Sequence, residues 1–380
     1  MRAARPQPFN CFAIAAPGLE PILARELETL GERSQVEDGG VSWRGDARSM
    51  MRANLWLRTA SRVLIRVARF QATAFHELER SAKRIAWEHF LASGVTPDFR
   101  VTARKSKLYH SDAIAQRLLT SVHQRVRTAA TGSPPSAHAS QLFVVRVVRD
   151  AFEISADTSG DLLHMRGYRL AVGKAPLRET LAAALLLGAE WNGRTALVDP
   201  FCGSGTIPTE AALLARNIAP GLGGGRDFAF TRWPDFDERT WRSLVDDARA
   251  VVARTAPCSI QGFDRDAGAI AAARENAKRA GVSADIEFDT LAVSAMDVPA
   301  VPTGIVATNP PYGVRVSERG ALRNLYARFG QVLRTRAPGW TVAMYSAARH
   351  YERETGLQFR DLFQTSNGGI RVTATVATVP

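Results

Sequence analysis

The chain has 380 residues, 46% hydrophobic and 8% aromatic, which is long for one core and predicts two or three globular domains. No segment approaches the roughly 20 apolar residues of a bilayer span, and three cysteines without a C-x-x-C pair (Cys11, Cys202, Cys258) argue against a disulfide framework or structural zinc and fit a reducing cytoplasm. The net charge of +12 divides into +10 over residues 1–150, −4 over 151–300 and +6 over 301–380, so an anionic polymer is expected beside a nucleotide-type cofactor site.

In chain order, the apolar run 9–16 reads as a first strand rather than a signal-peptide core, because an amphipathic helix over 21–30 follows at once. A short strand at 41–43, a helix over 46–55 and a strand through Val63, Ile65 and Val67 come next. Leu78, Ile85, Trp87, Phe90 and Leu91 predict a helix over 77–91, and a strand at 99–103 runs into the basic stretch Arg104-Lys105-Ser106-Lys107. A helix over 111–127, a loop with Gly132, Pro134 and Pro135, and a hairpin around Asp150 complete a small α+β assembly.

From about residue 175 helices and strands alternate. A helix over 177–190 leads to a strand at 195–199, a glycine turn and a helix over 207–216, and an insertion of about 40 residues (217–257) follows. Strands at 259–263, 285–288, 304–308 and 340–345 then alternate with helices over 267–280 and 322–336, and a hairpin over 359–379 ends the chain. The fold class is α/β, a doubly wound parallel sheet with a reversed last strand.

Three strand ends carry chemistry. Asp199-Pro200-Phe201-Cys202-Gly203-Ser204-Gly205-Thr206 lacks the Gly-Lys-Ser/Thr of a phosphate loop, and Pro208 stands where a dinucleotide fingerprint has its third glycine. Asp199 is placed to accept from a ligand ammonium; Cys202 reads as a small packing residue rather than a nucleophile. The second strand ends Gly262-Phe263-Asp264-Arg265-Asp266, with Asp264 placed for a ribose diol and Asp266 for capping the next helix. The third ends Asn309-Pro310-Pro311-Tyr312, where two prolines stop both strand and helix. An amide oxygen and a carbonyl accept both hydrogens of an amino group, and a Tyr ring stacks on a flat heterocycle, so this edge suits the exocyclic amine of a nucleobase.

Together these three features resemble the class I S-adenosylmethionine-dependent methyltransferases with an NPPY signature. HMRGYR (164–169), KAPLRETLAAALLL (174–187) and VDPFCGSGTIPTEAALLARNIAPG (198–221) are similar to bacterial THUMP-domain RNA methyltransferases of the 23S rRNA guanine-N2 type, with tRNA guanine-N2 enzymes next. The resemblance implies a ferredoxin-like part over 1–51, a THUMP-like RNA-binding domain over 52–155 and a catalytic domain over 160–380. It implies a cofactor site of Asp199, Phe201, Gly203, Gly205, Thr206, Asp264, Arg265, Asp289 and Asn309, and a base site of Asn309, Pro310, Pro311 and Tyr312. RNA contacts are expected from Arg104, Lys105, Lys107, Arg166, Arg169 and Arg315, structural salt bridges being the alternative for Arg166 and Arg169; no metal is expected. Two departures stand out: Asp289-Thr290-Leu291-Ala292 lacks the usual acidic contact to the cofactor adenine, leaving Asp289 or a backbone group to substitute, and Val314-Arg315 replaces Glu-Arg after NPPYG.

The expected activity is therefore methyl transfer from S-adenosylmethionine to guanine N2 in RNA, with 23S rRNA ahead of tRNA. The rivals are adenine-N6 methylation of DNA or RNA, and a non-catalytic ribosome-assembly factor. Intact motifs at all three strand ends argue against the last.

Overall fold

The computed structural model describes residues 8–126, 140–169, 177–312 and 319–380. Its front half is built on β1 (Phe9–Ala15), which points Cys11, Ala13 and Ala15 into the core. There follow α1 (Glu20–Thr29), β2 (Ser34–Glu37), β3 (Gly40–Gly45), α2 (Ala47–Trp56) and the twelve-residue β4 (Ala60–Gln71). Then come α3 (Phe75–Ala82), β5 (Thr96–Arg104), α4 (Ser111–Val126), β6 (Ser140–Val148) and β7 (Ala151–Asp157). Asp46 starts α2 by accepting from the Ser49 N–H at 2.8 Å, a side-chain cap for an otherwise orphan donor. One sheet, ordered β2-β3-β1-β4-β7-β6-β5, runs unbroken through this half because β4 pairs with β1 on one side and β7 on the other.

The helix expected over 77–91 is shorter in the structure. It ends at Ala82, and a single 3-10 turn, Trp87–His89, follows. Trp87 is the cause: its indole N–H donates to the Ala82 carbonyl at 2.9 Å while the ring packs edge-on against Phe99 and Phe143. Burying that large ring on the face of the paired β5 and β6 outweighs one more turn of helix.

The rear half comprises α5 (Glu179–Gly188), β8 (Ala196–Asp199), α6 (Thr206–Ala215), α7 (Glu238–Ala250), β9 (Ile260–Asp264) and α8 (Ala267–Arg279). It continues through β10 (Glu287–Thr290), β11 (Gly304–Thr308), α9 (Arg319–Arg336), β12 (Thr341–Ser346), α10 (Arg349–Glu354), β13 (Arg360–Asn367) and β14 (Ile370–Thr378). The strand order is β10-β9-β8-β11-β12-β14-β13: the first five are parallel and β14 is antiparallel to β12, as the alternation predicts. Two helices, α7 and α10, lie in stretches without a helical reading from sequence. In the insertion, Phe228 and Phe230 stack on each other and meet Trp241 of α7 edge-on, and all three pack into the core shared with the rest of the chain.

The halves share one apolar core that continues from Leu23, Met50 and Leu55 to Leu181, Leu185 and Ala211. At the seam Gly18 has φ +84°, and a Cβ there would stand 2.0 Å from the Gln364 carbonyl oxygen, so only glycine fits. The insertion reaches the front sheet through Trp233, whose indole donates to Gln141 Oε1 at 2.7 Å.

Candidate functional site

The parallel strands β8, β9, β10 and β11 bring their carboxyl ends to one edge, where open α/β sheets bind ligands. Asp199, which ends β8, is 1% exposed. Its Oδ1 accepts from the Thr308 hydroxyl at 2.6 Å and from the Phe201 N–H at 3.1 Å, leaving Oδ2 outside these bonds. Burial pushes its carboxyl up to about 7, and the nearby Asp264 charge adds to the rise. Thr308 directly precedes Asn309, so this hydroxyl ties the first motif to the third.

The two glycines of the turn serve different needs. Gly205 (φ +77°) opens α6, and a Cβ there would meet Ala273 Cβ at 2.8 Å. Gly203 (φ +52°) would meet nothing within 4 Å, so its bare backbone faces open space suited to a ligand. The Gly203 N–H donates to Asp264 Oδ2 at 3.0 Å, and the Asp266 N–H to Asp264 Oδ1 at 3.0 Å. Asp264 is thus held by one bond on each oxygen, with lone pairs left over. Asp266 Oδ1 accepts from the Gly268 and Ala269 N–H groups, the expected cap of α8. Burial raises the Cys202 thiol well above its ordinary range, in keeping with a packing residue. The Phe201 ring packs edge-on against Phe329, and Thr206 is buried at the start of α6. Arg265 and Asp289 are exposed at the same edge, Asp289 accepting from the Thr290 N–H at 2.8 Å.

At the end of β11 Pro310 is buried, Pro311 exposed, and Asn309 and Tyr312 lie half-buried. The Tyr312 hydroxyl donates to Asn309 Oδ1, and Asn367 bonds the same phenol from the β13–β14 hairpin. Burial pushes that phenol up to about 12 against the opposing pull of these two amides. The Tyr326 hydroxyl donates to the Pro311 carbonyl at 3.3 Å, and Tyr345 on β12 donates to the Leu181 carbonyl at 2.8 Å. Sequence reasoning missed Thr308, Tyr326 and Asn367 as neighbours of the motif. Asn367 has the look of a turn residue before two glycines, and only the inserted antiparallel β14 carries that turn to the functional edge.

The proposed RNA contacts separate into two groups. Arg104, Lys105 and Lys107 are exposed at the end of β5. Arg166 is not available to a polyanion: its side chain is 2% exposed and pairs with the fully buried Glu210 at 2.9 Å, also donating to the carbonyls of Leu163 and Arg58. Its position under the domain seam turns the expected contact into a structural ion pair. Arg169 donates to the Leu177 carbonyl at 2.6 Å and pairs with Glu179 at 3.3 Å, so most of its donor fork is internal as well. Arg315 lies outside the described residues. Among those residues, no group of three or more His, Cys, Asp or Glu could hold a metal, and no helix is long and apolar enough to cross a membrane.

Residues 166–375 match the family described as RMKL-like, methyltransferase domain, and residues 10–64 match the RlmL ferredoxin-like domain. The chain belongs to the RMKL-like methyltransferase family. Its relatives in that family include the ribosomal RNA large subunit methyltransferase K/L of Syntrophotalea carbinolica, 37% identical over 383 residues. That match covers 96% of this chain but 52% of the relative, so the chain spans about half of that protein's length. YpsC of Bacillus subtilis is 33% identical, with 96% of this chain and 94% of YpsC covered. Among solved structures, SMU.472 in complex with SAH superposes with a TM-score of 0.89 at 29% identity over 99% of both chains. A Listeria monocytogenes protein named as a predicted N6-adenine-specific DNA methylase reaches 0.87 at 34% identity, with 97% and 96% covered. The RMKL-like match includes Asp199, Asp264 and Asn309, whereas the basic stretch 104–107 lies outside both family matches.

Proposed function

We propose that this RMKL-like methyltransferase transfers a methyl group from S-adenosylmethionine to the exocyclic N2 of a guanine in RNA, with large-subunit rRNA as the substrate. The observation that carries the reading is the convergence of three motif-bearing strand ends on one edge, with Thr308 linking Asp199 to the strand that presents Asn309. The residues present suit the cofactor: Asp199 Oδ2 for its ammonium, the open backbone at Gly203 for close approach, and Asp264 for its ribose hydroxyls. When bound there, S-adenosylmethionine supplies an electrophilic sulfonium methyl.

The chain's own residues then have to make an aryl amine attack. Its lone pair is delocalised into the ring, so acceptors that hold both N–H hydrogens localise it on nitrogen. Asn309 Oδ1 and the Pro310 carbonyl take that role. A carboxamide oxygen has two lone pairs; Tyr312 fills one, and the second remains for the substrate. The target base leaves its stack to reach this edge, and the Tyr312 ring replaces the stacking it loses. Asn309 cannot act as a strong base and none is needed at the amine, so the departing proton passes to water after transfer. Alignment of the amine with the methyl, held by these groups, is the main source of rate.

The RNA-holding role falls to residues 52–155, which carry 17 Lys/Arg against 7 Asp/Glu. The relative named for ribosomal RNA and the one named as a putative RNA methyltransferase, YpsC, support RNA as substrate. The Listeria structure's name keeps adenine N6 as the second reading, since Asn309 and Pro310 accept any exocyclic amine. Mass spectrometry of rRNA and tRNA nucleosides from cells lacking the gene separates the two. Loss of one N2-methylguanosine from large-subunit rRNA is expected; loss of N6-methyladenosine, or no loss at all, overturns the assignment.

A further inference from the structure

The corner between β5, α4 and the β6–β7 turn carries a surface that neither family match covers. Arg104, Lys105, Lys107 and Arg149 are all exposed there, and none forms an ion pair among the described residues. Beside them Tyr109 is 64% exposed, the one aromatic among the large apolar side chains left in solvent in the described chain. Its ring centroid lies 4.0 Å from that of exposed His110, which forms a second flat surface next to it.

This corner is rigidly built. Arg149 and Asp150, at φ 50° and 63°, form the two-residue turn of the β6–β7 hairpin, and Lys105 has a left-handed φ of 51°. Internal hydrogen bonds hold it: the Ser106 hydroxyl donates to the Arg104 carbonyl at 3.0 Å, and the Asp150 N–H donates to Ser106 Oγ at 3.0 Å. The Lys107 N–H donates to Asp150 Oδ1 at 2.7 Å, and the Arg149 N–H to the Arg104 carbonyl at 3.2 Å. Buried Leu108 anchors the chain just before Tyr109. These bonds fix the corner's backbone, so its exposed side chains are presented from a set position. Cations spaced around an exposed ring are the combination by which proteins hold unpaired nucleotides, through phosphate contacts and base stacking.

We infer that this corner binds single-stranded RNA, with Tyr109 stacking on an unpaired base and Arg104, Lys105, Lys107 and Arg149 holding the flanking phosphates. The inference rests on the RNA reading above and adds the strandedness of the substrate and the residues that sense it. A base inside a duplex offers no free face, so paired RNA gains only the electrostatic part.

Fluorescence anisotropy of the full chain with a non-self-pairing oligoribonucleotide, and with a fully paired duplex of the same length, tests it. Tyr109→Ala is expected to weaken single-strand binding about tenfold while leaving the salt slope and duplex binding unchanged, and Tyr109→Trp to retain affinity. Lys105→Ala and Lys107→Ala should each flatten the slope of log K against log salt by about 0.7 on the single strand. Unchanged single-strand affinity for Tyr109→Ala, or an equal loss on the duplex, overturns the inference. Methyl transfer into cellular RNA, measured in parallel, keeps the two claims apart. A wild-type protein that binds single strands as expected but methylates no RNA sinks the proposed function alone; an active wild type with an indifferent Tyr109→Ala sinks the inference alone.

Discussion

Asp199 must be a carboxylate to hold an ammonium, yet burial raises its pKa to about 7, above the roughly 3.9 of the unfolded chain. A carboxyl raised in the folded state contributes stability that is present at low pH and lost as pH rises toward the folded pKa. The unliganded protein is therefore expected to lose stability between about pH 4 and pH 7, a loss that Asp199→Asn should reduce. Glu179, raised to about 7, and Asp157, raised to about 6, act in the same sense and make the substitution the clean control. The Tm increase caused by S-adenosylhomocysteine should in turn be larger at pH 8 than at pH 6, and a pH-independent increase would contradict the ammonium role. Asn309→Ala should cut methyl transfer by on the order of 10²-fold with cofactor affinity nearly intact, as expected for loss of alignment rather than of the cofactor site. Tyr312→Phe keeps the ring but removes the hydroxyl that donates to Asn309. With one hydrogen bond worth about 1 kcal/mol, kcat should drop about fivefold while the KM for RNA stays put.

At the scale of elements, the glycine turn between β8 and α6 shows that like residues need not do like work. Gly205→Ala would drive a methyl into Ala273 and add backbone strain at φ +77°, so it should lower stability by about 2 kcal/mol or more in urea unfolding. Gly203→Ala meets open space and carries strain alone; a smaller loss of about 1 kcal/mol is expected, with a disproportionate loss of S-adenosylhomocysteine affinity in calorimetry. The reverse order would place the ligand at the wrong glycine. The strand ends themselves were legible from sequence because turn or capping residues follow each apolar run: Pro200 and the glycine turn after the first, the capping Asp266 after the second, Pro310 after the third. The helix expected over 77–91 stopped short for a tertiary reason. Its apolar spacing is helical, but Trp87 gains more by packing edge-on against the stacked Phe99 and Phe143 than by continuing the turn.

For the whole molecule, the relation between the halves depends on charges buried at their seam. Arg166, after the front sheet, pairs with Glu210 on α6, and Tyr168 donates to the same carboxylate at 3.0 Å. Arg166 also donates to the Arg58 carbonyl, between α2 and β4, so a single guanidinium joins the front half, the connecting segment and the catalytic half. Removing one partner of such a pair leaves a buried charge without compensation. Glu210→Ala should cost about 3–5 kcal/mol in equilibrium unfolding, and a change of under 1 kcal/mol would show the pair to be dispensable. Deletion of residues 1–155 would expose Arg166 and the apolar core shared by both halves. Point substitutions at the exposed corner are thus the better way to separate RNA binding from folding.

The sequence by itself determined the alternation of strand and helix, the reversed final strand, and the three motifs that face one ligand edge. These are readable because turn chemistry and hydrophobic period act over a few neighbouring residues. Tertiary structure alone decided which arginines are free, since pairing of Arg166 with Glu210 joins residues 44 positions apart. It also decided that Thr308 braces Asp199 and that Asn367 reaches Tyr312, because strand order, not chain order, sets who meets at the edge of the sheet.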